Sequence, residues 1–326
     1  MRVLVTGATS LVGSHVARRL KDRGDEVVLF QRGAGPAGYE QRLGDIADAA
    51  AVTAAVAGVD AVVHMAARVG ITGSWADFEE TNVYGTANLI AASWAEQVSR
   101  FVQVSSPSVA HTGESLVGAP AGVADPKGAR GHYARSKAQA ELLALEASRP
   151  TFPVVALRPH LIWGPGDNQL VGRIVERARQ GRLATIGTGM ALIDTTYVSN
   201  AADAIVAGLD KTPELEGKAF VISNGEPRPV AELVSRIVNA AGLEAPKLKV
   251  PYRVARLGGK TAERIWDRTE REGEPPITSF LAEQLATAHW FDQRETRRAL
   301  DWVPAVSLDE GFRRLREWYS QHQPLA

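Results

Sequence analysis

Short apolar runs alternate with longer amphipathic segments in the first half of the chain, and this order limits the possible folds more than any other feature. Five runs are rich in β-branched residues and end at turn signals: RVLVT at 2–6, EVVLF at 26–30, DAVVHMA at 60–66, RFVQVSS at 100–106 and FPVVALRP at 152–159. Helical patterns lie between them. Nearly continuous apolar strands that alternate with helices indicate a parallel sheet covered on both faces. We therefore predict a doubly wound α/β domain, whose ligands bind beyond the carboxyl ends of the strands.

The pattern changes after residue 160. The second half combines helical stretches at 168–182, 199–210, 228–242 and 308–321 with strand-like runs at 191–198 and 219–225 and a charged stretch at 252–276. We predict a larger domain over 1–160, to which a segment near 184–208 returns. The remainder, 161–326, is predicted to form mainly a smaller, interleaved lobe that binds the substrate.

The composition excludes several classes of partner. With 45% hydrophobic residues, 23% charged residues and a formal net charge of zero, the chain has no electrostatic footprint for nucleic acid or an acidic membrane. It contains no cysteine, which excludes disulfides and thiolate chemistry. The chain begins on a strand-like run, MRVLVTG, without the pattern of a signal peptide. We expect a cytoplasmic protein that acts on a small molecule.

The segment VLVTGATSLVGSH joins the first strand to the first helix. Gly7 permits a tight turn, Gly13 permits close helix–strand packing, and the free amides of the helix N-terminus suit a pyrophosphate. Loops of this length usually have a middle glycine, where this chain has Ser10. A serine caps the helix well, but we expect its side chain to crowd the phosphate. The segment predicts a Rossmann-type, dinucleotide-binding domain.

The end of the second strand favours NADP(H) over NAD(H). An acidic residue at this position binds the ribose 2′-hydroxyl of NAD, but the chain has Gln31 followed by Arg32. A guanidinium suits a 2′-phosphate. Asp45, in the loop GDIAD, is placed to reach the adenine, although an exposed loop aspartate has the same pattern.

Tyr133 and Lys137 form a candidate acid–base pair in the segment YARSK. A spacing of four residues places both side chains on one helix face. The pKa of a free phenol is near 10, and a neighbouring ammonium together with the positive nicotinamide ring would favour the phenolate. A serine from the preceding loop, VSSPSV, would hold the substrate oxygen. These groups suit hydride transfer to a carbonyl carbon, with Tyr133 as the proton donor.

The motifs TGATSLVG, VVHMAA, TNVYGTANL, VSSPSV, YARSKAQAE and LRPHLIWGPGD resemble, in order, those of the extended short-chain dehydrogenase/reductases. The resemblance implies that Ser106, Tyr133, Lys137 and Asn82 are catalytic, with Ser105 and Ser108 as alternative serines and a packing role as the alternative for Asn82. It implies that His64 shapes a loop. The chain departs from the family pattern at Ser10 and in SVAH.

The residues of the first loop, the end of the second strand and the family motifs predict one set of residues that bind the cofactor and another that bind the substrate. The predicted cofactor-binding residues are Gly7, Thr9, Ser10, Leu11, Val12, Gly13, Gln31, Arg32, Asp45, Ile46, Ala66, Ala67, Tyr133, Lys137, Pro159 and Ile162. The predicted substrate-binding residues are Ser108, His160 and Trp163. Arg158 is a further candidate for a substrate carboxylate, or else structural. No metal site is predicted.

Within this family, SSPSV, LRPHLIWGPGDNQL, SNGEPRPVAEL and SFLAEQLATAHWFD are similar to segments of the reductases that act on 2-alkyl-3-oxoalkanoic acids in bacterial long-chain olefin synthesis. These are relatives of the 3β-hydroxysteroid dehydrogenases. The resemblance implies NADPH-dependent reduction to the 2-alkyl-3-hydroxy acid. A lipidic substrate agrees with Trp266, Trp290, Ile265 and Leu281, and with the stretch 250–266, which is either an amphipathic lid or a normal surface helix.

Three other functions remain open at this stage. A 3β-hydroxysteroid dehydrogenase would need the same catalytic residues. A sugar-nucleotide epimerase or dehydratase would keep NAD bound, which the pair Gln31–Arg32 disfavours. A redox-sensing regulator would have no need for Ser106, Tyr133 and Lys137 together. The resemblance also implies a homodimer through helices near 84–97 and 133–148. The alternative is that the apolar residues of these helices are buried against the protein's own sheet. Other enzymes of the olefin pathway are further possible partners.

Overall fold

The computed structural model describes residues 1–70, 73–111, 113–269 and 278–322. Fifteen strands are present in these ranges. Their bounds are β1 Arg2–Thr6, β2 Glu26–Gln31, β3 Glu40–Leu43, β4 Ala61–His64, β5 Arg100–Val104, β6 Leu116–Ala119, β7 Val154–Pro159, β8 Ile162–Trp163, β9 Thr185–Ile186, β10 Leu192–Ile193, β11 Thr196–Tyr197, β12 Lys218–Ile222, β13 Arg228–Pro229, β14 Lys249–Val250 and β15 His289–Phe291.

Twelve α-helices are present in the same ranges. They are α1 Leu11–Asp22, α2 Ala49–Val56, α3 Trp75–Phe78, α4 Gly85–Ala95, α5 Gly131–Glu146, α6 Val171–Arg179, α7 Val198–Lys211, α8 Val230–Ala240, α9 Tyr252–Thr269, α10 Ser279–Ala286, α11 Arg294–Leu300 and α12 Leu308–His322. A π-helix, Glu79–Tyr84, leads directly into α4, and short 3₁₀ turns occupy Pro107–Ala110 and Thr212–Glu214.

Seven of the strands form one parallel sheet in the order β12-β7-β5-β4-β1-β2-β3. The predicted doubly wound Rossmann-type sheet is therefore confirmed. The chain winds outward in both directions from β1, so the order reverses between β1 and β4. At such a switch point the connections leave toward opposite faces and open a crevice beyond the carboxyl ends of the strands.

Alternate residues of each strand bury against opposite helical layers. In β1, Val3 and Val5 face a core that includes Leu20 of α1 and Ile205 of α7. Leu4 faces the other core, which contains residues of α2, α4 and α5. This period of two, with apolar residues on both faces, explains why the strands appear as continuous apolar runs in the sequence.

The second half of the chain differs in part from the sequence prediction. We expected the segment 184–208 to return to the larger domain. Strand β12, which comes later in the chain, also returns to it and pairs with β7 in the main sheet. The predicted strand 191–198 is two short strands, β10 and β11, which belong to different sheets. Buried Asp194 separates them and accepts hydrogen bonds from Thr195 and Glu226 amides and the Ser223 hydroxyl, so the chain turns there.

The smaller sheets and the C-terminal helices enclose a separate core around Trp163, Ile237 and Phe312. A four-stranded sheet, β13-β10-β15-β6, connects this region to the segment after β5. Helix α9 packs closely on α10, because a Cβ atom at Gly259 would lie 2.4 Å from the Ser279 amide nitrogen. The part of the stretch 252–276 that follows Thr269 lies outside the described residues. None of the helices described is long and apolar enough to cross a membrane.

Candidate active site

The predicted cofactor residues follow the carboxyl ends of neighbouring strands. Gly7 follows β1, Arg32 follows β2, Asp45 follows β3 and Ala66 follows β4, while Pro159 ends β7. Because these strands are parallel, all five positions lie along one edge of the sheet. The fold thus brings to one crevice residues that are far apart in the chain.

The first loop forms a tight cradle at the switch point between β1 and β4. Gly7 has φ +74°, and a Cβ atom there would lie 2.8 Å from the Ala66 amide nitrogen. A Cβ atom at Gly13 would lie 2.3 Å from the Gly7 carbonyl oxygen. No other residue fits at either position without moving the backbone. The cradle leaves the N-terminus of α1 open to a pyrophosphate, so these residues fit a dinucleotide.

Ser10 turns its side chain back into its own loop, contrary to our expectation that it would crowd the phosphate. Its hydroxyl donates to the Gly7 carbonyl oxygen at 2.8 Å and accepts from the Gly13 amide at 3.1 Å. Its φ of −74° is ordinary for any residue. The middle position therefore does not need glycine here, and the hydroxyl caps α1. Leu11 and Val12 continue into this helix, and Thr9 is exposed beside it.

The end of β2 presents two different polar groups to the crevice. Gln31 is 7% exposed, and neither polar atom of its amide has a hydrogen-bond partner among the described residues. The Arg32 side chain is 81% exposed and lies 3.9 Å from the Asp45 carboxylate. An orphaned buried amide is costly, and a ribose hydroxyl at this strand end would supply a partner. Ile46, next to Asp45, is buried against Gly85 at the start of α4.

Tyr133 and two serines form the candidate chemical centre of this site. The Ser106 hydroxyl lies close enough to the Tyr133 phenol to act on its pKa. The Ser108 hydroxyl donates to Ser106 Oγ at 2.9 Å. Burial raises the pKa of Tyr133, and the Ser106 hydroxyl opposes this rise. Ser105, in contrast, is buried, and its hydroxyl has no hydrogen-bond partner among the described residues.

Lys137 is 3% exposed and lies one helical turn after Tyr133. Its ammonium donates to the Val104 carbonyl oxygen at 2.7 Å, so it anchors α5 to the end of β5. Burial lowers its pKa to about 8, and the nearby Glu141 carboxylate opposes that shift. We expected Lys137 to lower the pKa of Tyr133. In the protein alone, burial raises the pKa of Tyr133, and the group that opposes this rise is Ser106, not Lys137.

Asn82 positions the helix that carries Tyr133. Its amide oxygen accepts from the Arg68 amide at 2.7 Å, and its amide nitrogen donates to the Arg68 carbonyl and to Ser136 Oγ. Ser136 in turn donates to the Tyr133 carbonyl oxygen at 2.9 Å. Both amide hydrogens of Asn82 are therefore used in packing contacts. It lies on the π-helix, an irregularity that is frequent at functional sites.

His64 ties the ends of β1 and β4 to the π-helix region. Its Nδ1 lies 2.8 Å from Thr6 Oγ1 and its Nε2 lies 3.0 Å from Thr86 Oγ1. Because the Thr86 hydroxyl donates to the Asn82 carbonyl, it must accept from His64, which places the proton on Nε2. Thr6 then accepts from the Met65 and Ala66 amides. This arrangement agrees with the predicted loop-shaping role.

A cavity of about 580 Å³ opens beside the phenol of Tyr133. Ser108 and the start of α5 line one side, and Gln169, Arg173 and Ser279 line the other. Arg130 borders it as well and forms an ion pair of 2.5 Å with Glu283. The cavity is large enough for an organic ligand. It carries both signs of charge at its wall.

Three residues predicted to meet the substrate are not part of the described lining of this cavity. Trp163 is 1% exposed, stacks on Phe312 at 4.5 Å and donates to Thr195, so it belongs to the C-terminal core. His160 is buried against His289 and Phe291. Arg158 was predicted either to bind a substrate carboxylate or to be structural. Its buried ion pair with Glu141 supports the structural role. Trp163 and Arg158 are fully engaged by neighbouring protein groups, whereas His160 Nδ1 is buried and has no hydrogen-bond partner among the described residues.

The aromatic residues expected near the substrate are likewise dispersed. Trp290 packs over Gly118 and lines a different cavity, next to Arg294. Trp266 and Ile265 are near the C-terminal end of α9, where Ile265 is 44% exposed. Leu281, in contrast, lines a cavity that adjoins the catalytic one. Pro159 is buried and Ile162 is half-buried; Leu161 between them has φ +43° and turns the chain.

The sequence reasoning missed a buried ion pair behind the site. Arg158 and Glu141 are 1% and 0% exposed and lie 2.5 Å apart. Arg158 also donates to the Gly122 carbonyl oxygen at 3.2 Å. Glu141 follows Lys137 by four residues, a spacing that could have indicated the position of this carboxylate on the same helix face. Its partner, from β7, could not be recognised from spacing.

A dinucleotide cradle at the switch point of a parallel sheet, together with a tyrosine that lines a cavity next to Ser108, defines a class of protein. This class is the NAD(P)-dependent oxidoreductases. Residues 3–223 match the model of the NAD dependent epimerase/dehydratase family. The chain belongs to this family, whose members are extended short-chain dehydrogenase/reductases.

Two curated relatives are similar along nearly the whole chain. A 2-alkyl-3-oxoalkanoate reductase of Stenotrophomonas maltophilia (strain K279a) is 44% identical over 97% of this chain and 98% of its own. A human sterol-4-alpha-carboxylate 3-dehydrogenase, decarboxylating, is 29% identical over 96% of this chain and 87% of its own. Among solved structures, MoeE5 in complex with UDP-glucose and NAD is 25% identical, with a TM-score of 0.74 over 98% of this chain and 99% of its own.

Proposed function

We propose that this protein reduces a 2-alkyl-3-oxoalkanoic acid to the 2-alkyl-3-hydroxyalkanoic acid with NADPH, as a step of long-chain olefin biosynthesis. The observation that carries the proposal is Tyr133, with Ser106 beside its phenol, at the wall of a cavity that Ser108 and arginine side chains also line. The 44% identity to a reductase of this name supports the choice of substrate.

The residues divide the work of the reaction as follows. Ser106 donates a hydrogen bond to the substrate carbonyl oxygen, with Ser108 holding the Ser106 hydroxyl in place. A nicotinamide dinucleotide held by the cradle of Gly7 and Gly13 would supply the hydride to the carbonyl carbon. Tyr133 transfers its hydroxyl proton to the carbonyl oxygen, which becomes the alcohol, and a proton from solvent restores the phenol. Lys137 fixes the helix that carries Tyr133 and adds a positive charge near the phenolate.

The cofactor assignment rests on residues of this chain. Gly7, Gly13 and the N-terminus of α1 would hold the pyrophosphate. Arg32 would bind the 2′-phosphate, since no carboxylate occupies the end of β2 to repel it. Asp45, 3.9 Å from Arg32, would face the adenine. Ala66 and Ala67 would border the crevice from the β4 side.

The assay that tests the proposal is best run in the oxidative direction, because 3-oxo acids decarboxylate spontaneously. Purified protein is mixed with NADP⁺ or NAD⁺ and offered a long-chain 2-alkyl-3-hydroxy acid or a 3β-hydroxysteroid, and the reduced cofactor is followed by absorbance. Turnover of the acid with NADP⁺ is the expected result. If neither cofactor supports turnover of the acid, the proposal fails.

A 3β-hydroxysteroid or sterol dehydrogenase is the second candidate, supported by the similarity to the human sterol dehydrogenase. Turnover of the steroid alone in the same assay would select it. A sugar-nucleotide epimerase is a third candidate, supported by the similarity to MoeE5. Such an enzyme retains its cofactor, so co-purified NAD in the absorbance spectrum of the protein would favour it.

We further propose a homodimer that uses α4 and α5. Leu142 and Leu143 on α5 are 36% and 38% exposed, and Trp94 on α4 is 65% exposed. Large apolar side chains on two adjacent helices are typical of a surface that a second copy covers.

A further inference from the structure

A second, apolar cavity of about 200 Å³ lies between α6, α8 and α10. Leu170 and Ile174 line it from the α6 side, Val234 from α8, and Leu281 and Leu285 from α10. None of these residues takes part in the cofactor cradle or in proton transfer. Arg173 and Arg177 are the charged residues of its described lining, and the rest is mainly apolar, which suits a hydrocarbon group better than water.

This cavity adjoins the catalytic one. Gln169 and Arg173 line both cavities, so the two meet at this pair. Arg173 Nη2 donates to Gln169 Oε1 at 3.2 Å, which holds the two side chains together at the junction. A ligand that reaches from Tyr133 toward Leu281 must therefore pass a guanidinium.

We infer that the apolar cavity binds one hydrocarbon chain of the substrate and that Arg173 binds the substrate carboxylate at the junction. This inference rests on the proposed function for the identity of the substrate. A 2-alkyl-3-oxo acid carries a carbonyl, a carboxylate and two alkyl chains on adjacent carbons. With the carbonyl at Tyr133, the carboxylate meets Arg173 and one chain enters between α6, α8 and α10. Arginine binds carboxylates with paired, charge-assisted hydrogen bonds.

The size of the cavity limits the length of chain that it can hold. A protein cavity of about 150 Å³ accepts benzene, a ring of six carbons. By this comparison, the space between α6, α8 and α10 accommodates an alkyl segment of about eight carbons. Each methylene buried should tighten binding about three- to fourfold, and carbons beyond that length should add little.

Two measurements test the inference. Calorimetry measures the binding of saturated fatty acids of increasing length to the complex of the protein with NADP⁺. Turnover is measured with 2-alkyl-3-hydroxy acids of matched lengths. Affinity should rise with each carbon and level off near eight. Val234→Trp should fill the cavity, remove the dependence on length and lower the affinity for the longer acids at least tenfold. Val303→Trp is the matched control, because Val303 is 67% exposed outside the cavity. NADPH affinity and thermal unfolding verify the fold, and Val234→Phe replaces the tryptophan variant if that does not fold.

The Arg173→Gln variant should bind fatty acids of every length about tenfold more weakly than the wild type. Its affinity should still rise with chain length. An unchanged length dependence in the filled variants would overturn the chain site, and unchanged affinity in Arg173→Gln would overturn the carboxylate site. If the fatty acids bind as expected but no hydroxy acid is turned over, the proposed function fails and the site for a chain stands. If hydroxy acids are turned over at rates that do not depend on chain length, the site for a chain fails and the proposed function stands.

Discussion

The ammonium group of Lys137 donates a 2.7 Å hydrogen bond to the carbonyl oxygen of Val104. This bond joins the middle of α5 to the end of the central strand β5, directly before the loop that contains Ser106. It fixes the distance between the two elements that provide the tyrosine and the serine. The spacing of Tyr133 and Lys137 on one helix thus serves a structural purpose beside the chemical one that we propose.

Replacing this lysine should affect both catalysis and cofactor binding. In Lys137→Met, the Val104 carbonyl loses its partner and the positive charge near Tyr133 is lost, so we expect kcat to fall at least a hundredfold. NADPH affinity, measured by fluorescence titration, should fall as well. Lys127→Met, at an exposed position, is the control and should match the wild type. Normal kcat in Lys137→Met would contradict the proposed role.

Removing the hydroxyl of Tyr133 should affect catalysis alone. We expect Tyr133→Phe to lower kcat about a thousandfold, because a positioned general acid contributes a factor of this order. NADPH affinity should stay within about twofold of the wild type, since the ring is retained. Tyr84→Phe, an exposed tyrosine, provides the comparison. Turnover that survives in Tyr133→Phe would mean that another group delivers the proton.

Arg32 should distinguish NADPH from NADH. The Arg32→Ala variant loses a charge-assisted contact to the 2′-phosphate, so its affinity for NADPH should fall about tenfold or more while its affinity for NADH barely changes. Arg294 is a control of similar exposure, 87% against 81%, on another cavity. Equal weakening of both cofactors would exclude a role in recognising the 2′-phosphate.

His64 should make the protein less stable in acid. Burial, with a contribution from the Lys137 charge, lowers its pKa from 6.5 to about 3. The unfolded chain therefore binds a proton below pH 6.5 that the folded protein does not, and stability is lost as the pH falls from 6.5 through 3. This histidine alone should reduce the free energy of unfolding by about 2 kcal/mol at pH 5.

Urea unfolding between pH 5 and 7 measures this effect. His64→Gln should show a smaller pH dependence than the wild type, while His322→Gln, at an exposed position, should keep the full dependence. An NMR titration gives a direct second readout, in which the His64 ring should stay neutral at pH 5. A ring that protonates near pH 6.5 would refute the prediction.

Leu143 tests the proposed dimer. Leu143→Arg should place a charge in the interface and halve the molar mass measured by light scattering after gel filtration. Leu257→Arg on α9, where the leucine is 67% exposed, should leave the molar mass unchanged. A wild-type protein that elutes as a monomer would exclude the dimer.

The features that the sequence determined by itself are those that depend on neighbours along the chain. The parallel sheet follows from the apolar runs. The cradle follows from Gly7 and Gly13, and the shared helix face follows from the spacing of Tyr133 and Lys137. In each case the geometry of a single strand, turn or helix sets the distances.

Only the tertiary structure decided which distant groups meet. It paired Arg158 with Glu141, placed Trp163 in the C-terminal core and brought Gln169 and Arg173 to the junction of two cavities. It also turned the Ser10 hydroxyl into its own loop, where a simple argument from side-chain size placed it against the phosphate. These contacts join separate elements or depend on exact torsions, and they follow from packing, which no local spacing encodes.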